Sequence, residues 1–356
     1  MFQELTARFG SRAKRDEPLS QHTTFRIGGP ADALVDVESL DELRFLLDLA
    51  RKKDVPLRLL GGGSNLLVRE AGVRGIVVRL RGEFLNVAHP PSGEAVASYD
   101  VAHPPSGAAV SAPSAQPEAA TLHSHPGAGV LHYAGAGAPL SAVCSEAVRR
   151  GFNNFCWTAG IPGTLGGAIL GNAGAWGHNV GEFVESLRVM TRRGEEKTLR
   201  CFSPSPLGAC PEALREREGR GEGVAFGYRR TVLPESGLII LGATLRLANV
   251  DAPHADAREV IRDYVERKRR TQPLEHPSAG SVFKNPAPEK PAGLLIDQAG
   301  CKGLRVEGAC VSPKHANFIV NDRHAAAADV MHLIEQVRAA VKARSGVDLE
   351  LEIQVW

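Results

Sequence analysis

The chain has 356 residues, long for a single domain, with 43% hydrophobic and 23% charged residues, the composition of an ordinary soluble globular protein. A formal net charge of +2 gives no reason to expect nucleic acid or an anionic membrane as partner. The opening MFQELTARFGSRAKRDEP has no apolar centre, and no run reaches the roughly 18 apolar residues of a spanning helix, so neither export nor membrane insertion is expected.

In chain order, Ser39 followed by Glu42 reads as a capping box, with Leu43, Leu46, Leu47 and Ala50 at helical spacing behind it. Pro56 stops that helix. Leu57–Leu60, Leu66–Val68 and Gly75–Leu80 read as strands, with GGGSN between the first two. A Rossmann site needs its glycines between a strand and a helix; these lead into a strand, which excludes it.

Residues 84–129 change character. VAHPPSG occurs twice, at 87–93 and 101–107, in surroundings rich in Ala, Pro, Ser and Gly. Such a segment buries too little apolar surface to offset its ordering entropy, so it is expected to be a weakly ordered surface insertion. Its His89, His103, His123 and His125 are read as solvated rather than metal-binding. The six cysteines show neither a C-x-x-C pair nor zinc-like spacing, and no metal is expected; they read as buried thiols of a reducing cytoplasm.

Beyond the insertion, Val130–Tyr133 reads as a strand and Leu140–Arg150 as a helix closed by Gly151. A second surface excursion is expected at 203–222. Asp256–Thr271 is a predicted helix with Val260, Ile261, Tyr264 and Val265 on one face. Ala325–Ser345 is another, closed by Gly346. Val347 to Val355 then alternates as a strand, which leaves Glu350 and Glu352 on one face and gives no means of choosing between them. The pattern is α+β.

Three Gly-rich segments stand out: Gly61–Asn65, Gly135–Gly137 and Ala159–Ala175. Glycine lets backbone amides approach a ligand closely, and successive exposed amides make an anion nest. Three such segments, without Rossmann order, point to a flavin dinucleotide on another scaffold. In GSVFKNP, Pro286 biases Asn285 toward extended backbone, so Ser281 is either a turn hydroxyl or a proton donor.

The series TTFRIGGPAD, LGGGSNLLV, AGIPGTLGGAI with GNAGA, GYRR, SAGSVFKNP, AGLLIDQAGCKG, VSPKHANFIVN and LELEI resembles the UDP-N-acetylenolpyruvoylglucosamine reductases, the MurB family, from about residue 20 to the end. It is similar to the shorter type, which lacks an extra tyrosine-bearing loop. The resemblance implies an FAD-binding domain of the vanillyl-alcohol-oxidase (PCMH) type plus a C-terminal α/β substrate-binding domain. Residues 1–80 and 81–248 would form the two FAD-binding subdomains and 249–356 the substrate domain.

It further implies a cytoplasmic, monomeric enzyme of bacterial peptidoglycan synthesis. That enzyme uses FAD and NADPH to reduce the enolpyruvyl ether of UDP-N-acetylglucosamine. Arg229, Ser281 and Glu352 match the catalytic residues, as carboxylate partner, proton donor and enol-stabilising acid. Cofactor binding is implied for Arg26, Gly61, Gly62, Gly63, Ser64 and Asn65. The longer glycine segment adds Gly160, Ile161, Pro162, Gly163, Thr164, Gly167, Asn172 and Ala173. Tyr228, Lys268, Lys284 and Asn285 are the substrate-side candidates. Two departures stand out: Thr231 replaces the serine of the usual Y-R-x-S, and GFNNFCW precedes the IPG motif. The competing reading is an FAD-dependent oxidase of a small alcohol or sugar on the same scaffold.

Overall fold

The computed structural model describes residues 1–88, 130–202, 224–231, 233–249 and 256–356. The insertion expected at 203–222 lies outside these, as does most of the one expected at 84–129. Its first residues are ordered, however: Phe84 is buried and Val87–Ala88 pairs with a neighbouring strand. Apolar residues before the Ala/Pro tract thus belong to the body of the fold.

Ser39 Oγ accepts the Glu42 backbone N–H at 3.3 Å and opens the helix Leu40–Lys52. The other half of the expected capping box does not form. The Glu42 carboxylate instead takes the Arg12 guanidinium through two bonds of 2.8 and 2.6 Å, together with the Glu38 N–H. A two-pronged charged donor outcompetes a single amide. Leu43, Leu46, Leu47, Leu49 and Ala50 are buried.

The first strands are β1 (Ala13–Pro18), β2 (Pro30–Val37), β3 (Leu57–Leu59), β4 (Leu66–Leu67) and β5 (Val73–Leu80). Four of them form a sheet in the order β1-β2-β5-β3, with β5 parallel to both neighbours. Ile76, Val77 and Val78 are all fully buried, as a strand covered on both faces requires.

A second sheet uses β6 (Val87–Ala88) and β7 (Val130–Gly135). After a small hairpin of β8 (Gly174–Ala175) and β9 (His178–Asn179), it continues with β10 (Val184–Met190), β11 (Glu196–Phe202), β12 (Val224–Gly227), β13 (Arg230–Thr231) and β14 (Ile239–Leu247). Its order is β13-β12-β11-β10-β14-β7-β6. Phe155, Leu165, Ile169, Leu187 and Leu245 pack its core.

The third sheet has the order β15-β18-β17-β16, from β15 (Ser278–Ser281), β16 (Arg305–Val306), β17 (Ala309–Val311) and β18 (Phe318–Asn321). The helix Ala327–Ser345 buries Val330, Leu333, Ile334, Val337 and Val341 and ends at Gly346 with φ 72°, the left-handed cap that favours glycine.

In the helix Ala257–Thr271, Val260, Ile261, Tyr264 and Val265 share one partly buried face, and Lys268 on the same stripe is 6% exposed. One expectation needs correction. The alternating C-terminal segment is not one continuous strand. Leu351 bridges to Phe283, and only β19 (Gln354–Val355) forms a ladder, parallel to β4. Alternation survives because the segment stays extended; the ladder does not, because its neighbour changes from the GSVF segment to β4. Among the described residues no helix is long and apolar enough to cross a membrane.

Candidate active site

Ser281 ends β15, half-buried, ahead of Val282 and Phe283, which are fully inside. Asn317 fixes this turn. Its backbone carbonyl accepts the Val282 N–H at 2.9 Å, its side-chain oxygen accepts the Phe283 N–H at 2.9 Å, and its side-chain amide donates to the Phe283 carbonyl at 2.8 Å. Sequence reasoning did not single out Asn317, although it lies inside the KHANF stretch. Past the turn, Asn285 accepts the Ala292 N–H, and the Asn285 N–H reaches the Tyr228 hydroxyl at 3.4 Å.

The Glu352 peptide is held from both sides. Its N–H donates to the Val282 carbonyl at 2.8 Å, next to Ser281. Its carbonyl accepts the Asn65 side-chain amide at 3.0 Å, from the GGGSN loop. The pattern's ambiguity is thereby resolved. Glu350 is 79% exposed and meets Lys284 at 3.3 Å, whereas the Glu352 side chain is 17% exposed and its Oε1 lies 2.9 Å from Arg229 Nε. The Arg229 N–H does not point along that line, so the contact is an ion pair rather than an aligned hydrogen bond. Burial pushes the Glu352 carboxyl above the usual carboxylate range, against the downward pull of Arg229 and Lys284.

Arg229 sits at φ 54°, a conformation that costs a non-glycine residue energy and persists where its surroundings impose it. Two contacts do so here. Arg229 Nη1 donates to the Gly174 carbonyl at 3.1 Å, and Asn172 holds the preceding Gly227 through its side-chain amide at 2.8 Å. Asn172 is itself buried and accepts the Gly181 N–H. Next to this anchor, Trp176 of the β8–β9 hairpin stacks on Tyr264 at 5.1 Å.

The glycine loops lie against one another. A Cβ on Gly62 would come within 2.5 Å of the Gly163 Cα, and one on Gly61 within 2.8 Å of the Thr164 hydroxyl. Ser64 Oγ donates to the Pro162 carbonyl at 3.2 Å, and Thr164 caps the short helix Leu165–Leu170 through the Gly167 N–H. Ile161 and Ala173 pack at the edge of the second sheet's core. The result is a glycine-rich surface, with the short hydroxyls of Ser64 and Thr164 at the contact, built from two distant stretches of chain. It suits the close approach of a dinucleotide.

Arg26 follows a turn bonded to Gly63 of the GGGSN loop but faces a separate groove. It is exposed, at φ 56°, and lines a groove of about 630 Å³ with Glu70, His276, Asp322 and His324; no other candidate residue lines that groove.

Residues 272–356 match the family described as UDP-N-acetylenolpyruvoylglucosamine reductase, C-terminal domain, and residues 31–96 and 125–200 match an FAD binding domain. A UDP-N-acetylenolpyruvoylglucosamine reductase 2 of Symbiobacterium thermophilum is 38% identical over 345 residues, 97% of this chain and 92% of that one. The reductase of Moorella thermoacetica is 39% identical over 341 residues, 96% and 92% of the two chains. The solved structure of the Thermus caldophilus reductase, MurB, is 33% identical, with a TM-score of 0.64 and coverage of 97% of this chain and 98% of that one. With glycine loops, buried carboxyl and serine turn in place across this shared length, the chain belongs to the UDP-N-acetylenolpyruvoylglucosamine reductase family.

Proposed function

We infer that this protein is the flavoenzyme that uses NADPH to reduce UDP-N-acetylglucosamine enolpyruvate to UDP-N-acetylmuramate, for bacterial peptidoglycan synthesis. The observation that carries the reading is the Arg229–Glu352 ion pair of 2.9 Å, held between the GGGSN loop and the Ser281 turn. The reading implies a monomer working in the cytoplasm on a small sugar nucleotide, with neither nucleic acid nor membrane as partner. It assigns residues 1–248 to flavin binding and 249–356 to substrate binding, with β19 returning to the flavin side.

When bound, FAD supplies the hydride taken from NADPH, which arrives at the β-carbon of the enolpyruvyl group. Gly61–Ser64 and Gly160–Thr164 would hold the cofactor, because the glycines leave backbone amides open to close approach and the side chains at the loops' contact include the short hydroxyls of Ser64 and Thr164. Negative charge then builds on the α-carbon and the attached carboxylate of the substrate. Arg229, a planar cation fixed by Gly174 and Glu352, stabilises that charge. Glu352, its carboxyl raised by burial, polarises the enolic form. Ser281 delivers the proton to the α-carbon; a hydroxyl is a weak acid, suited only to a strongly basic carbanion. Tyr228, Lys284 and Asn285 line the approach on the substrate side.

Purified protein incubated with NADPH and UDP-N-acetylglucosamine enolpyruvate tests the reading. NADPH consumption that requires the enolpyruvyl substrate is the expected result. A colourless protein that takes up no FAD would refute it.

A further inference from the structure

Lys268 belongs to the last turn of the helix Ala257–Thr271 and is 6% exposed. Its neighbours Arg269 and Arg270 are exposed, so the negative end of the helix has cations without it. Among the described residues its ammonium has neither an ion pair nor a side-chain hydrogen bond. A charge taken out of water with no counter-charge is costly, and such groups are ordinarily paired. Burial alone holds its pKa down, to about 8.

The position of this ammonium is specific. Gly160, at φ 73°, opens the AGIPGT loop, and a Cβ there would lie 3.3 Å from Lys268 Cδ and 3.8 Å from Nζ. Four residues on, Thr164 meets Gly61, and Pro162 takes the Ser64 hydroxyl. The unpaired cation therefore stands against Gly160, at the start of the loop that meets the GGGSN loop. Tyr264, one helical turn before it, is occupied by its stack on Trp176.

We propose that Lys268 is the counter-ion for the diphosphate of the flavin dinucleotide, rather than a contact to the diphosphate of the sugar nucleotide. The proposal rests on the flavin reading above. Backbone amides of the two glycine loops supply hydrogen bonds to a diphosphate, but no net charge. Lys268 supplies the charge. In the ligand-free chain the ammonium nitrogen keeps some contact with solvent, and on binding the anion completes the pair.

Full-length protein stripped of flavin and titrated with FAD and with riboflavin, which has no phosphate, tests this. Lys268→Met is expected to weaken FAD about 10- to 100-fold, the worth of one charge-assisted hydrogen bond, and to leave riboflavin binding unchanged. Lys268→Arg is expected to recover part of the FAD affinity. The flavin-free Lys268→Met protein should melt no lower than wild type, since an unpaired charge has been removed. Unchanged FAD affinity, with weaker perturbation of the flavin spectrum by the UDP-sugar, would overturn the proposal in favour of a substrate contact. Equal loss of FAD and riboflavin, or a lower melting temperature, would overturn it in favour of a structural role. Wild-type protein that binds neither flavin would instead refute the flavin reading itself.

Discussion

The side-chain amide of Asn65 donates to the carbonyl oxygen of Glu352 at 3.0 Å, and the Asn65 carbonyl accepts the Gln354 N–H at 2.9 Å. The GGGSN loop thus fixes the segment that carries the buried carboxyl as well as offering its glycines to a cofactor. Asn65→Ala removes a bond worth about 1 kcal/mol and should lower substrate reduction roughly five- to tenfold with flavin content retained. Rapid-mixing measurement of the two half-reactions checks this. Loss of FAD with normal turnover of the remainder would place Asn65 on the flavin instead.

Arg229 pulls the Glu352 carboxyl down against the upward push of burial. Arg229→Gln removes that pull, so the carboxyl rises further and its limb of the kcat/KM profile moves to higher pH. Loss of a preorganised cation should also lower kcat/KM by about 10²- to 10³-fold. A limb that stays in place would mean that Arg229 is not the counter-ion. Because the folded value is raised, this carboxyl favours the fold below the ordinary carboxylate range and loses that contribution as pH rises through its folded value; Glu352→Gln should abolish the dependence.

Gly62→Ala puts a methyl 2.5 Å from the Gly163 Cα, backbone that cannot swing aside. The loops must part, at a cost of roughly 1–3 kcal/mol in stability. Protein purified with much less than the wild-type flavin absorbance is the expected result, and full flavin content would show that the loops do not form the cradle.

Lys268 provides a pH test on the flavin-free chain. Its shift from 10.5 to about 8 corresponds to a cost of about 3 kcal/mol at neutral pH. Below about 8 the folded and unfolded chains both hold the proton, and the cost is constant. Between about 8 and 10.5 the unfolded chain holds more protons, so stability rises with pH through that window. Denaturation of wild type and Lys268→Met across pH 7–10.5 should show a gap that closes only there. Parallel curves would contradict the burial of a charged amine.

The Ser39 cap and the helix closed by Gly346 were legible because they depend on local chemistry. The choice between Glu350 and Glu352 was not, because both occupy one face and only their tertiary neighbours differ. The break before β19 escaped for the same reason: extended alternation reports conformation and leaves the partner unstated. Lys268 was legible as a candidate, but its burial was not. It stands four residues after Tyr264, on the inward stripe, but its residue type argues for solvent. Asn317 has no periodic signal at all. Its role exists only once KHANF folds beside GSVF.

The central claim, that the Ser281 hydroxyl finishes the reduction, is tested most directly by rapid mixing of Ser281→Ala in two half-reactions. NADPH should reduce its flavin at the wild-type rate, while reoxidation by the enolpyruvyl substrate slows by about 10²- to 10⁴-fold. Equal slowing of both half-reactions, or wild-type reoxidation, would contradict it.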